Sequence, residues 1–376
     1  MPKVAHSGTH VVSSLRPFEL SKATDSGLTS FAGLPAVLET WAALGMREVV
    51  EKELRLKKID RGPSEAEWVE LLTVLPLAGG KTVEDLRIFK EDSGLVRLWP
   101  VLQKVSPRSA LQFLERFHDE KQEPSVIGHA VIRPDTPALA GLARINRALV
   151  GAVQKHRPEK VATIDIDASV HPCRKREALP AYEGGRAYQP LTAVWAERRF
   201  LLEDEFRDGN VPAGMGNLPF VQRVHTNLPK SIQKIFVRAD TALYEQDVLA
   251  YLVKEHIEFA ISADITQQLR KAIEAVPKAA WQPVRDDEGV IREEGRLWAE
   301  VEYVPEDKRP GEGKPLRYLA IHLPQQGDLF DAPRARYVAI VSNRWELPGN
   351  DLINWQRKKC GTIEYMHDLL KNDFAA

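Results

Sequence analysis

Two segments that close on aspartate constrain this chain more than any other feature. Val161-Ala162-Thr163-Ile164-Asp165-Ile166-Asp167 alternates and is rich in β-branched residues, which predicts a strand. Ile235-Phe236-Val237-Arg238-Ala239-Asp240 repeats the form and again ends on a carboxylate. Further strands are predicted at Leu191 to Ala196, Phe200 to Phe206 and Ile257 to Ala263, with a helix over 245–256 between the last of these and Asp240. Strand and helix alternate here, which is the pattern of an α/β core.

The flanks read differently. Leu38, Trp41, Leu44, Val49 and Leu54 predict one helix over 34–57. Ser64 with Glu67 is a capping box, Thr82 with Asp85 restarts the chain, and Ser106-Pro107 opens another helix. A polar linker over 119–137 precedes a helix over 138–156. Segments near 298–304, 318–323 and 337–341 predict antiparallel strands, and 351–371 a final amphipathic helix. The expected organisation is a helical DNA-binding or assembly region over 1–157, the first part of a core over 158–276, a mostly β insertion over 277–341, and the last core helix over 342–376.

Composition narrows the classes. The chain has 52 basic and 53 acidic residues, so a locally basic groove remains open while global basicity does not. Its longest apolar runs fall well short of the roughly 20 residues a bilayer needs, and the first residues lack a secretory signal. A cytoplasmic protein without a membrane partner is expected. Cys173 and Cys360 with His171 form no zinc spacing and are read as free thiols.

Asp167, Asp240 and a late helical Glu364 are the carboxylates that matter. Three such groups brought together by a sheet and a packed helix can hold two divalent cations roughly 3.5 to 4 Å apart for phosphoryl transfer. Oxygen donors favour Mg2+ or Mn2+. Spacing alone leaves a second reading open, in which each aspartate caps a turn. Asp165, two residues before Asp167, shares its face, which permits a paired acidic site and leaves Asp165 a supporting or alternative first acid.

The sequence resembles bacterial insertion-sequence transposases of the DDE class, in the group with a β-rich insertion before the final glutamate. The residues that carry the resemblance are 163–169 (TIDIDAS), 182–190 (YEGGRAYQP), 205–210 (EFRDGN), 237–244 (VRADTALY), 257–264 (IEFAISAD), and Gly361-Thr362-Ile363-Glu364 followed by Lys371. The resemblance implies an RNase H-like core in which Asp167, Asp240 and Glu364 are the catalytic acids. It also implies two Mg2+ or Mn2+ ions, double-stranded DNA at transposon ends, a target DNA, and a homodimer when DNA is bound. Glu364 and Lys371 are seven positions apart, two α-helical turns, so Lys371 is expected near the same face as a phosphate contact. The tyrosine and arginine that precede the glutamate in the family signature are replaced by Arg357 and Cys360, which makes Arg357, Lys358 and Lys359 substitutes for a phosphate contact.

Further DNA-binding candidates are Arg174, Lys175, Arg176, Arg186, Tyr188, Arg238 and Arg344, the last two being equally able to neutralise the acid-rich site, with Trp281 and Trp298 as aromatic contacts or core. Two other functions stay open at this stage. One is an RNase H-like endonuclease that cuts without joining, and the other a truncated, non-catalytic DNA-binding descendant.

Overall fold

The computed structural model describes residues 28–57, 61–118, 129–175, 178–182, 184–305, 315–324 and 336–373. It is a mixed α/β protein with a helical N-terminal region and a β-sheet subdomain, and it divides into two compact units. One holds the helices up to Pro158 and the terminal segment from Asp368, and the other is built on Glu159–His367.

The helical unit contains α1 (Leu34–Ala43), α2 (Met46–Glu53), α3 (Glu65–Leu77), α4 (Leu86–Glu91), α5 (Ser93–Leu98), α6 (Pro107–Leu114) and α7 (Pro137–His156). The helix expected over 34–57 is two, because Gly45 adopts φ 67 and breaks the ladder between α1 and α2. The predicted caps form: Ser64 accepts from the Glu67 amide while the Glu67 carboxylate takes the Ser64 amide, and Ser106 accepts from the Ser109 amide. Leu38, Trp68, Leu71, Leu86, Trp99 and Phe113 fill its core, and the buried Trp99 indole donates to Glu70 at 2.8 Å. Residues 119–128 of the expected linker lie outside the described residues.

The second unit is organised by one nine-stranded sheet. Its strands are β1 (Val161–Ala168), β5 (Leu191–Trp195), β6 (Phe200–Glu205), β7 (Lys234–Ala239), β8 (Glu258–Ala263), β9 (Gln282–Pro283), β10 (Leu297–Val301), β11 (Arg317–Leu323) and β12 (Arg336–Ser342). The order is β6-β5-β1-β7-β8-β12-β11-β10-β9. Strands β1, β7 and β8 are parallel neighbours, and every other pairing is antiparallel. The strands expected as a β-rich insertion continue this sheet, because β12 pairs with β8. Short strands β2 (His171–Pro172), β3 (Leu179–Pro180) and β4 (Arg186–Tyr188) make a separate small sheet.

Helices α8 (Asn217–Asn227) and α9 (Gln246–Lys254) lie in the connections that lead to β7 and β8, and α10 (Gln267–Glu274) follows β8. Helix α11 (Gly349–Lys359) covers one sheet face, with Leu352 and Ile353 packed among Ala260, Trp298, Leu319, Ile321 and Ile340. Trp298 is thus core, 9% exposed, and not a surface aromatic. Trp281 is half-buried and stacks on Tyr337 with ring centroids 6.0 Å apart. Beyond α11 the helix expected to run to 371 changes character: a π turn over Cys360–Glu364, a short α12 (Tyr365–Asp368), and a second π segment over Leu369–Asp373. Among the described residues no helix is long and apolar enough to cross a membrane.

Candidate active site

The register between β1 and β7 decides where the acids go. Asp165 is paired with Arg238 and Ile166 with Ala239, so the next step along both strands places Asp167 beside Asp240 at their carboxyl ends. In open α/β sheets that edge is where ligands bind. Residues paired in a parallel register share a face, so two levels stand on the side covered by α11: Asp165 with Arg238, then Asp167 with Asp240.

The lower level is a closed ion pair. Arg238 donates from Nε to Asp165 Oδ1 at 2.6 Å and from Nη2 to Oδ2 at 2.8 Å, and from Nη1 to the Trp355 carbonyl at 2.8 Å. Asp165 is fully buried and Arg238 is 3% exposed. Burial pushes the Asp165 carboxyl up, and the bidentate guanidinium opposes that shift. Of the two readings of Arg238, as a phosphate contact or as a charge that neutralises the acids, this placement matches the second, and Asp165 offers its oxygens to that arginine.

At the upper level, Asp167 accepts from the Ala168 amide at Oδ1, while Oδ2 lies 3.1 Å from the Lys359 ammonium. Asp240 accepts from the Ala242 amide at 3.1 Å. Burial raises the Asp240 carboxyl; Lys359 pulls it down and Asp167 pushes it up. Lys359, read from sequence as a phosphate contact, is instead 6% exposed and serves as the counter-charge of the acids.

Helix α11 is fixed over this edge by a ladder of polar contacts. Trp355 gives its carbonyl to Arg238, Gln356 donates to the Ala239 carbonyl and the Ser262 hydroxyl, and Lys359 reaches Asp167. Glu364 follows on the π turn, exposed, and accepts from the Cys360 thiol. Burial and the neighbouring Glu364 charge raise that thiol. Thr192, opposite Asp167 on β5, donates to the Asp167 carbonyl and pairs with His367 at 2.9 Å. Sequence reading missed Gln356, Thr192 and His367, since nothing local to them signals a partner so far along the chain.

Other candidates fall elsewhere. Arg344 lies between the Phe236 and Trp355 rings, 4.4 Å from each, and pairs with Glu258 at 2.9 Å. Lys358 pairs with Asp287, and Arg357 is exposed. Arg174 and Lys175 are exposed, Arg176 lies outside the described residues, and Arg186 donates to the Ala178 carbonyl at 2.7 Å. Tyr188 is half-buried against Phe206. Lys371 is exposed and belongs to the helical unit, while Glu364 belongs to the sheet unit.

A family model described as a transposase DDE domain, group 1, matches residues 75–306, more than half of the chain. The chain belongs to that family. The match contains Asp167 and Asp240, and stops before the helix that carries Lys359 and Glu364 of this DDE-domain protein. A cryo-EM structure of piggyBac transposase, a synaptic complex with hairpin DNA, is similar over 87% of this chain and 65% of that chain, at 11% identity and a TM-score of 0.42. That likeness is too distant to carry a residue, ligand or assembly across. No curated protein matches the sequence.

The family implies acidic residues that bind a divalent metal. Among the described residues no group of three or more histidine, cysteine, aspartate or glutamate side chains is gathered closely enough to hold an ion. What the transposase-family chain does present is two carboxylates at adjacent strand ends that already draw a cation, Lys359. Hard oxygen donors of that kind suit Mg2+ or Mn2+. Asp167 and Asp240 fit the group as a pair, with Glu364 on the adjoining turn.

Proposed function

We propose that this chain is a DNA transposase that cleaves insertion-sequence ends and transfers the strands into a target by metal-dependent phosphoryl transfer. The observation that carries the reading is the pairing of Asp167 with Asp240 at the carboxyl edge of parallel β1 and β7, under the helix that leads to Glu364. An antiparallel β6-β5-β1 set continued by parallel β7 and β8 supports an RNase H-like core.

Asp167 and Asp240 would hold Mg2+ or Mn2+, with Glu364 as the third carboxylate. A divalent ion held there would supply Lewis-acid stabilisation of the charge that develops on phosphorus. The chain's own part is to fix the two aspartates by β-sheet register and to keep the Asp165–Arg238 pair closed beneath them. Exposed Arg174, Lys175, Arg186, Arg357 and Lys371 supply phosphate contacts, and the helical region contributes to end binding and to a DNA-bound homodimer.

Incubation of the protein with the DNA that flanks its gene, with Mg2+ or Mn2+, tests this directly. Nicking and joined products are expected, each abolished by D167A, D240A or E364A. Cleavage without joining marks an endonuclease. DNA binding with no cleavage in either metal marks a non-catalytic descendant.

A further inference from the structure

Lys359 is the least expected residue at the acid pair. A lysine side chain is almost never buried without a partner, and this buried one has its ammonium 3.1 Å from Asp167 Oδ2 and within electrostatic reach of Asp240 and Asp165. It is therefore a cation held at an oxygen that the proposed reaction needs for metal.

The backbone around it is arranged for this. Residues five apart on an α-helix are about 140° apart and look in different directions. Lys359 and Glu364 are five apart, and the segment between them is a π turn, in which hydrogen bonds join residues five apart and bring them closer to one side. The buried ammonium of Lys359 reaches Asp167 at the strand ends, and Glu364 follows at the end of the widened turn, exposed. Gln356, one turn earlier, anchors the helix to the Ala239 carbonyl and leaves little freedom for it to rotate.

We propose that Lys359 is a positioning residue, the resident counter-cation of the acid pair, which holds Asp167 beside Asp240 in the metal-free protein and competes with a divalent cation for Asp167. The proposal rests on the acid pair being the metal site. Two carboxylates at neighbouring strand ends repel each other, and the ammonium offsets that repulsion from within the chain. A dication approaching Asp167 Oδ2 meets like charge, so the lysine must swing aside on its flexible stem before the oxygen is free. Removing the charge therefore leaves a more negative and more accessible pair. A lysine that only braced the helix has the opposite consequence: its loss slackens the site and weakens ion binding.

Mn2+ binding to the full chain, measured by titration calorimetry at about pH 8 without DNA, separates these outcomes. K359M and K359Q are expected to bind Mn2+ about tenfold more tightly than the unsubstituted chain. K359R keeps the charge and is expected to stay within about threefold of it. Unchanged or weaker binding in K359M and K359Q, or K359R tightening as they do, overturns the proposal. D167N serves as the reference for the site itself. If D167N binds Mn2+ as well as the unsubstituted chain, the metal-site reading fails; if D167N loses binding and K359M does not gain it, only the role of Lys359 fails.

Discussion

Arg238 and Asp165 form a two-point ion pair directly below the residues that bear the proposed chemistry, two residues down both β1 and β7. The pair is almost wholly desolvated, and Arg238 also ties the sheet to α11 through the Trp355 carbonyl. Its job is support. Breaking a buried pair by removing one partner leaves an uncompensated charge and costs about 3–5 kcal/mol. Denaturant unfolding of R238M and of D165N is expected to show losses of that order, and the double variant R238M/D165L to recover part of the loss. A D165N protein of unchanged stability but absent metal binding refutes the supporting role and returns Asp165 to the set of metal ligands.

Glu245 gives a pH dependence with a definite sign. Burial raises its carboxyl, against the hydrogen bond from the Asn217 amide and the charge of Arg207, with Asp247 adding to the rise. A carboxyl raised in the folded state contributes stability that is full below its unfolded value and is lost as pH climbs through the folded value. E245Q cannot ionise and keeps an acceptor for Asn217. The thermal midpoint of E245Q should gain on that of the unsubstituted chain as pH rises from about 4 to about 7. A gap that widens toward acid contradicts the burial argument.

Much of the sheet was legible because its signals are local. The alternation in 161–167 and the aspartates closing β1 and β7 stand in the sequence, and so do the Ser64 and Ser106 caps. Helices α8 and α10 were not read: α8 contains Pro219 near its start, and α10 shows only Leu269 and Ile273 as buried apolar positions. The break at Gly45 was available, since a glycine between two apolar runs is the residue that takes a left-handed conformation at no steric cost.

What the sequence did not disclose is pairing at long range. Asp165 and Arg238 are 73 positions apart, and only the parallel register of β1 with β7 makes them partners. The same holds for Lys359: three basic residues in a row at 357–359 look alike as letters, and helix phase alone turns one inward to Asp167 while Arg357 and Lys358 stay exposed. The π turns leave no periodic signal in a pattern read at 3.6 residues per turn.

Gly349 and Trp298 predict a packing defect that is independent of the chemistry. A Cβ at Gly349 overlaps the Trp298 indole, which is held between α11 and the sheet with Leu352 and Ile353. Neither partner can move freely, since the glycine opens α11 and the tryptophan lies on β10. G349A is expected to cost about 3 kcal/mol, the upper part of the range for overpacked cores, and W298A a similar amount through the cavity it leaves. In the double variant G349A/W298A the new methyl enters space that the indole vacated, so the combined loss should be smaller than the sum of the two. Chemical unfolding of the three proteins measures this, and strict additivity rules out the contact as the cause.

Gly361 lies in the π turn, exposed and with open space around it. A π turn is an α-helical turn widened by one residue, so removing one residue from it restores the regular i to i−4 ladder without rotating what lies on either side. Lys359 and the glutamate then stand four apart, about 40° from each other on one face, close to the relation that the wide turn gives them now. Deleting Gly361 also removes a poor helix former, worth about 1 kcal/mol against alanine. The expected outcome is a folded protein whose thermal midpoint does not fall and whose Mn2+ affinity stays within about threefold of the unsubstituted chain. Deleting Asn354 instead, inside the regular α11, turns every later residue by about 100° and should swing Lys359 off Asp167. Equal damage from the two deletions is the result that discards the phase argument.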